Sequence, residues 1–296
     1  MTAVAQIIIR CVNAFVEEDG SGGNPAAVVF NAEQLSPAIR QQLAAKTGYS
    51  ETAFVSRGKS EPRLDFYTPT RPIPYCGHAT LAVFSLLAEK DFVAEAENMA
   101  YETAGGRNRI RTESDGRVFL EMKPASSEML DAKAQESLLS SLRLKLSQLV
   151  EKMPVEIVSS GNRFAVIPLK NLSGLLAVQP DFERLRQASE ALDLVGVYLF
   201  TLETQRAGRS ASARMFAPRF GIQEEPATGT AAGPLGCYLY RAAENKQTSF
   251  VIEQGGAMPV PRPSKIEVEL GVENDEIKEV WVGGRARLTE ARTEVL

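Results

Sequence analysis

The chain has 296 residues, 44% of them apolar and 24% charged, with a formal net charge of -4 and a single histidine. That length suits two domains of ordinary size, and an acidic balance without a clustered run of Lys and Arg argues against a nucleic-acid partner. Three cysteines with no CxxC spacing suggest neither a disulfide framework nor a zinc site, and one histidine makes a His-based metal site improbable. No apolar stretch reaches the roughly 18 residues of a membrane helix, and Arg10 interrupts "IIIRCV" before it could serve as a signal-peptide core, so a cytoplasmic protein without membrane attachment is expected.

In chain order, a strand, a glycine turn and the strand "GNPAAVVF" lead to the first well-marked helix. Ser36 is its N-cap, Pro37 its first residue, Ile39, Leu43 and Ala44 its apolar stripe, and Gly48 its stop. After "SETAFV" and "RLDFYT", which read as strands, comes "ATLAVFSLLAE" behind His78, a run so uniformly apolar that it predicts a buried helix. "RVFLEM" is again a strand. The polar stretch 126–154, with the helical pattern "AQESLLSSLRLKLSQLVEKM", reads as a connector. Beyond it "FERLRQASEALD" at 182–193 is a second amphipathic helix, "AAGPLGCYLY" behind Thr230 a second buried one, and "KIEVEL" and "EVWVGG" are strands.

The order repeats. "GNPAAVVF" at 23 returns as "GNRFAVIP" at 161, "GYSETAFV" at 48 as "GVYLFTLE" at 196, "FYTP" at 66 as "MFAP" at 215, Gly77 as Gly229, and "ETAGG" at 102 as "EQGG" at 253. Five weak matches in order, all offset by about half the chain, predict a duplication. The expected architecture is therefore α+β, two pseudo-symmetric domains spanning 1–125 and 126–296, each a mostly antiparallel sheet or barrel wrapped around a central buried helix. The connector belongs to the second half, and the last strand is left free to cross back to the first.

Both buried helices begin behind a glycine, in "CGHAT" and "ATGTAAG". Helix N-termini carry free amide donors and about half a positive charge, so two of them facing one cleft would bind a carboxylate. Tight helix packing is the better explanation of each glycine taken alone, and it is their duplication that points to function. His78 stands in such a first turn, where a neutral imidazole is expected, either as a ligand to substrate or as a cap. Glu51, ahead of three apolar strand residues, is expected to have a pKa raised by desolvation and to act as general acid or base; its plain alternative is a solvated strand end. Glu224 and Glu225 lie just before the second helix, where acidic residues commonly complement its dipole.

"GNPAAVVF", "SETAFV", "TPTRPIPYCGHAT" and "RMFAPRFGIQEEPATGTAAGPLG" together resemble, over nearly the full length, the phenazine-biosynthesis PhzF-like family, with its diaminopimelate epimerase-like fold. The resemblance implies one active site between two domains, no cofactor and a homodimer acting on a small carboxylic acid. It places the family's glutamate on Glu51 and its G-H pair on Gly77 and His78. The family's aspartate falls on Glu225 and its serine on Thr230, two departures from the pattern. Catalysis is thus expected from Glu51, His78 and Glu225, and substrate binding from Asn24, Cys76, Gly77, Ala79, Thr228, Gly229 and Thr230.

The implied activity is a cofactor-independent isomerase shifting a proton in an activated, unsaturated or hydroxylated carboxylic acid. Two alternatives remain: a carboxylate-binding protein of the same fold without turnover, and a cysteine-based racemase or epimerase. The second is weakened because Thr228 holds the place opposite Cys76, and Cys237 lies about two helical turns further on.

Overall fold

The structure is a computed structural model that describes residues 6–58, 60–88, 99–242 and 246–295. It divides into two compact units, the first comprising 1–121 and 283–296, the second 122–282. Among the described residues no helix is long and apolar enough to cross a membrane.

The first unit contains β1 (Gln6–Val16), β2 (Asn24–Phe30), α1 (Pro37–Thr47), β3 (Thr52–Ser56), β4 (Arg63–Tyr67), β5 (Pro72–Ile73), α2 (Gly77–Ala88), β6 (Met99–Thr103), β7 (Gly106–Thr112) and β8 (Val118–Met122), whose final residue begins the second unit. β1 and β2 pair antiparallel, β2 and β3 run parallel across the α1 connection, and β4 is antiparallel to β3. β4 is also parallel to β6, which opens the antiparallel run β6, β7, β8.

The α1 boundaries are those its sequence signals specify. The Ser36 side chain accepts from the Ile39 amide and Gly48 ends the helix at φ 75°. Leu43 and Ala44 of α1 pack with Ile7, Ile9, Ala27, Val29, Phe54 and Tyr67 of the strands. α2 is buried from His78 to Leu86 without a solvent face, as its composition demands. The Glu89 end of that apolar run lies outside the described residues.

The second unit contains β9 (Ser126–Met129), α3 (Ala132–Ser141), β10 (Glu156–Ser159), β11 (Arg163–Pro168), α4 (Leu172–Leu176), α5 (Phe182–Ala191), β12 (Gly196–Thr201), β13 (Ala211–Ala217), β14 (Ile222–Glu225), α6 (Gly229–Ala242), β15 (Ser249–Gln254), β16 (Ser264–Glu273) and the start of β17 (Glu276–Val295). β10 and β11 are antiparallel, β11 and β12 parallel, β12 and β13 antiparallel, β13 and β15 parallel, and β15 and β16 antiparallel. The succession of pairings is that of β1 to β7.

The helix expected across most of 134–153 stops at Ser141. Arg143 takes a left-handed φ of 56°, and a short 3₁₀ turn follows at Leu146–Gln148. The Leu144 amide donates back to the Leu139 carbonyl across this left-handed residue, which closes the helix and lets Leu142 and Leu144 enter the core alongside Leu149. The segment is also tied into the sheet, because β9 pairs with β10.

Glycines in α6 allow close approach. A Cβ on Gly236 would lie 2.7 Å from Val268 Cγ1 of β16, and one on Gly233 2.9 Å from Val282 Cγ2. The C-terminal strand does return to the first unit: β17 pairs antiparallel with β1 from Arg285 opposite Val16 to Val295 opposite Gln6, supplying partners to backbone groups that β1 would otherwise leave open.

Candidate active site

In the first unit four of the expected residues meet at the start of α2. Asn24 is delivered by a bend: Gly22 and Gly23 hold φ of 69° and 82°, and a Cβ on Gly23 would lie 2.7 Å from the Ala14 carbonyl. Glu51 precedes β3, and its carbonyl accepts from the Ala27 amide of β2. Cys76 and His78 flank Gly77 at the first turn of α2, where Thr80 closes the turn through its amide and hydroxyl, both donating to the Cys76 carbonyl. Ala79 is fully buried, and its amide is directed at the Cys76 sulfur.

His78 Nε2 lies 3.2 Å from Glu51 Oε2, with the two side chains 7% and 12% exposed. The distance is right, yet Oε2 makes no aligned hydrogen bond, so the pair is held by charge and proximity more than by directed bonding. On the other side of the ring, Asn24 Nδ2 is 3.4 Å from Nδ1. Cys76 Sγ lies 3.6 Å from Nδ1 and 3.9 Å from Nε2.

These neighbours reverse two expectations. Burial does push the Glu51 carboxyl upward, but the close approach of His78, aided by Ser50, outweighs burial and brings the pKa below the ordinary value. For His78, burial opposes the charged ring, yet Cys76 and Glu51 together hold it well above 6.5. Burial keeps the Cys76 thiol protonated, raising its pKa against the pull of His78. Glu51 is therefore the negative partner that counts for His78 near neutrality, and the helix terminus does not enforce a neutral imidazole.

A pH dependence of stability follows. Glu51, depressed when folded, contributes above its ordinary pKa of about 4.5 and loses this as pH falls through the folded value. His78, raised when folded, contributes fully below about 6.5 and loses this as pH rises through the folded value. The melting-temperature difference between wild type and His78→Gln should thus be widest between about pH 4.5 and 6.5 and narrow on both sides; a flat difference across pH would deny the pair.

Glu51, Cys76 and His78 place three donor atoms within 4.8 Å of one another.

In the second unit the expected residues form a cluster at the start of α6. Thr228 Oγ1 donates to Glu225 Oε2 at 2.6 Å. Gln254, at the end of β15, accepts at Oε1 from the Thr228 amide and from the buried Tyr198 hydroxyl, and its Nε2 donates to the Glu225 carbonyl and to Thr228 Oγ1. Gly229 and Thr230 begin α6, and the Ala231 and Ala232 amides both donate to the Thr228 carbonyl. Thr228 thus spends its amide and hydroxyl inside the protein, orienting Glu225. Glu224 does not serve the helix dipole: it forms a buried pair with Arg214.

Gln254 and Tyr198 were not identified from sequence. The only signal was the glycine pair in "EQGG", and it marks the mechanism: Gly255 holds φ 79°, with a Cβ there 2.2 Å from the Arg262 carbonyl and 2.6 Å from the Pro226 carbonyl. Gly255→Ala should therefore cost more than about 1 kcal/mol of stability and disturb the 225–228 turn together with it. Thermal melts that match wild type would show that the turn does not depend on this approach.

The chain matches the family model described as phenazine biosynthesis-like protein over residues 12–292. It is 33% identical over 287 residues to an uncharacterized isomerase of Clostridium acetobutylicum, covering 93% of each chain. It is 30% identical over 291 residues to the trans-2,3-dihydro-3-hydroxyanthranilate isomerase of Pseudomonas aeruginosa, covering 95% of this chain and 97% of that one. The crystal structure of a PhzF-family protein of Bacillus anthracis superposes with a TM-score of 0.87 at 24% identity, over 99% of this chain and 100% of the other. The protein is an isomerase, and it belongs to the phenazine biosynthesis-like family.

Proposed function

We propose that this isomerase moves a proton within a small, already activated carboxylic acid, with Glu51 as the group that takes the proton from carbon and returns it elsewhere on the same molecule. The observation that carries this reading is the buried Glu51 carboxylate, held 3.2 Å from His78 yet with Oε2 left without an aligned hydrogen bond. One C–H bond breaks, its electron pair shifts through the adjacent unsaturation, and a new C–H bond forms at the far carbon.

Magnitudes favour an activated substrate. A single positioned base contributes about 10²–10⁴-fold, and one good oxyanion donor about 3–4 kcal/mol. Their sum falls short of what a plain amino acid would need. Unsaturation or a hydroxyl beside the scissile C–H supplies the difference. The Pseudomonas aeruginosa relative's name describes such a molecule, a hydroxylated, partly unsaturated ring with a carboxylate and an amino group.

On this reading the Gly77 and His78 amides at the start of α2 receive the substrate carboxylate. Glu225, Gly229 and Thr230 serve as binding groups for amino or hydroxyl substituents, with Thr228 orienting Glu225. The two halves are read as pseudo-symmetric copies, and a homodimer is the expected assembly, which sedimentation would test.

Two-thiol racemisation has little support, because Thr228 stands in the second thiol's place and Cys237 is fully buried within α6. The test is incubation with trans-2,3-dihydro-3-hydroxyanthranilate and related unsaturated cyclic acids in deuterium oxide, followed by NMR. An isomerised product is expected. Ligands that raise the melting temperature but are recovered without isomerisation or exchange would replace this reading with binding alone.

A further inference from the structure

We propose that Asn24 is a positioning residue that keeps the Nε2 proton of His78 on the Glu51 side, so that His78 presents an N–H toward the Glu51 carboxylate and does not act as a second base. The inference rests on the reading of Glu51 and His78 as the proton-handling pair.

Three groups face the ring. Glu51, ahead of β3, meets Nε2; Asn24, the first residue of β2, meets Nδ1; and Cys76, ahead of α2, lies against both nitrogens. Cys76 is a thiol and a weak donor or acceptor, so it does not choose between the nitrogens. Asn24 does. With Nδ2 toward Nδ1, its amide donates into the Nδ1 lone pair of a neutral ring, which leaves the ring proton on Nε2. After a half-turn of the amide, Oδ1 accepts from the N–H of a charged ring. Glu51, a carboxylate, offers Nε2 only acceptors. In either charge state the proton at Nε2 stays where it is.

The placement is built into the backbone. Asn24 is 2% exposed, opposes Ala14 in the β1–β2 ladder, and follows a glycine that no other residue could replace without striking the Ala14 carbonyl. The 3.4 Å spacing is long for a hydrogen bond, as catalytic spacings in ligand-free proteins commonly are.

The sequence itself supplies the probe, because His78 is the only histidine. With ¹⁵N-histidine label, long-range ¹H–¹⁵N spectra of the whole protein across pH report the tautomer and titration of one ring. In wild type the neutral ring should show a pyridine-like Nδ1 and a pyrrole-like Nε2. Asn24→Asp, an acceptor only, should raise the titration midpoint by about one unit or more. Asn24→Leu should leave a mixture of tautomers.

A wild-type neutral ring protonated at Nδ1, a ring that never loses a proton while the protein is folded, or an unchanged tautomer in Asn24→Leu would each overturn the proposal. If Asn24→Leu does not fold, Asn24→Asp decides alone, an unchanged midpoint counting against it. The ring shifts need no turnover. Their failure is therefore separable from the failure of the isomerase reading, which is decided by product formation.

Discussion

Glu51→Gln should lower the rate of proton shift by about 10²–10⁴-fold, the loss expected when a positioned general base is removed. Glutamine keeps the length and planarity of the side chain and can still lie against His78, so the fold and the start of α2 are preserved. What disappears is the lone pair that accepts a proton from carbon. The effect should fall on kcat with KM little changed, because the interaction is used in the transition state and not in ground-state binding.

The same substitution removes the negative partner of His78, and its ring should titrate lower than in wild type. Two readouts thus move together for one cause. A Glu51→Gln protein that still forms product at the wild-type rate would end the proposed mechanism, whereas one that loses activity with an unmoved His78 midpoint would separate Glu51 from His78. Glu51→Asp is the informative companion. It keeps the base and withdraws it by one methylene, a displacement of about 1 Å that can itself cost on the order of a hundredfold.

How much of this was legible in the sequence depended on whether the cause was local. Ser36, Pro37 and Gly48 fixed α1 because capping is decided within a turn, and the apolar run after His78 announced a helix with no solvent face. The local parts of the two clusters were legible for the same reason: Cys76, Gly77 and His78 are consecutive, Glu225 and Thr228 lie three apart, and the motifs around them recur. Protonation was not legible. Glu51 alone looks like a carboxyl raised by desolvation, and His78 alone like a ring kept neutral by a helix terminus. Each expectation fails because the other residue, 27 positions away in the chain, lies 3.2 Å off. Gln254 and Tyr198 went unnoticed because a buried amide and phenol matter only through partners that the chain order does not reveal. The 126–154 segment misled for a subtler reason: its leucines continue past Ser141 without a glycine or proline to mark a stop, and the helix ends instead at Arg143 in a left-handed conformation that its residue type does not announce.

Arg214→Leu should destabilise the protein by about 3–5 kcal/mol, the cost of leaving a buried charge without its partner. Arg214 and Glu224 are each 8% exposed and joined by two parallel bonds, Nε to Oε1 at 2.8 Å and Nη2 to Oε2 at 2.9 Å. The third nitrogen, Nη1, donates to the carbonyls of Leu175 and Val178 at 3.2 and 2.9 Å, with Leu176 at 3.4 Å. One guanidinium therefore ties the end of α4 and the turn after it to β13 and to the β14 strand that carries Glu225.

At about 2–4 °C per kcal/mol for a domain of this size, the melting temperature should drop by roughly 10 °C. Arg214→Lys should recover little, because an ammonium cannot make the paired bonds and reach the carbonyls together. Removing both charges, as in Arg214→Met with Glu224→Leu, should cost clearly less than Arg214→Leu alone, since no buried charge is then stranded. A single Arg214→Leu loss below about 1 kcal/mol, the range of exposed pairs, would show that water reaches Glu224. Glu224 adjoins Glu225 in β14, so the double substitution also separates two roles of this strand: a protein that melts near wild type but has lost turnover would mean that the ion pair is kept for the aim of Glu225 more than for stability.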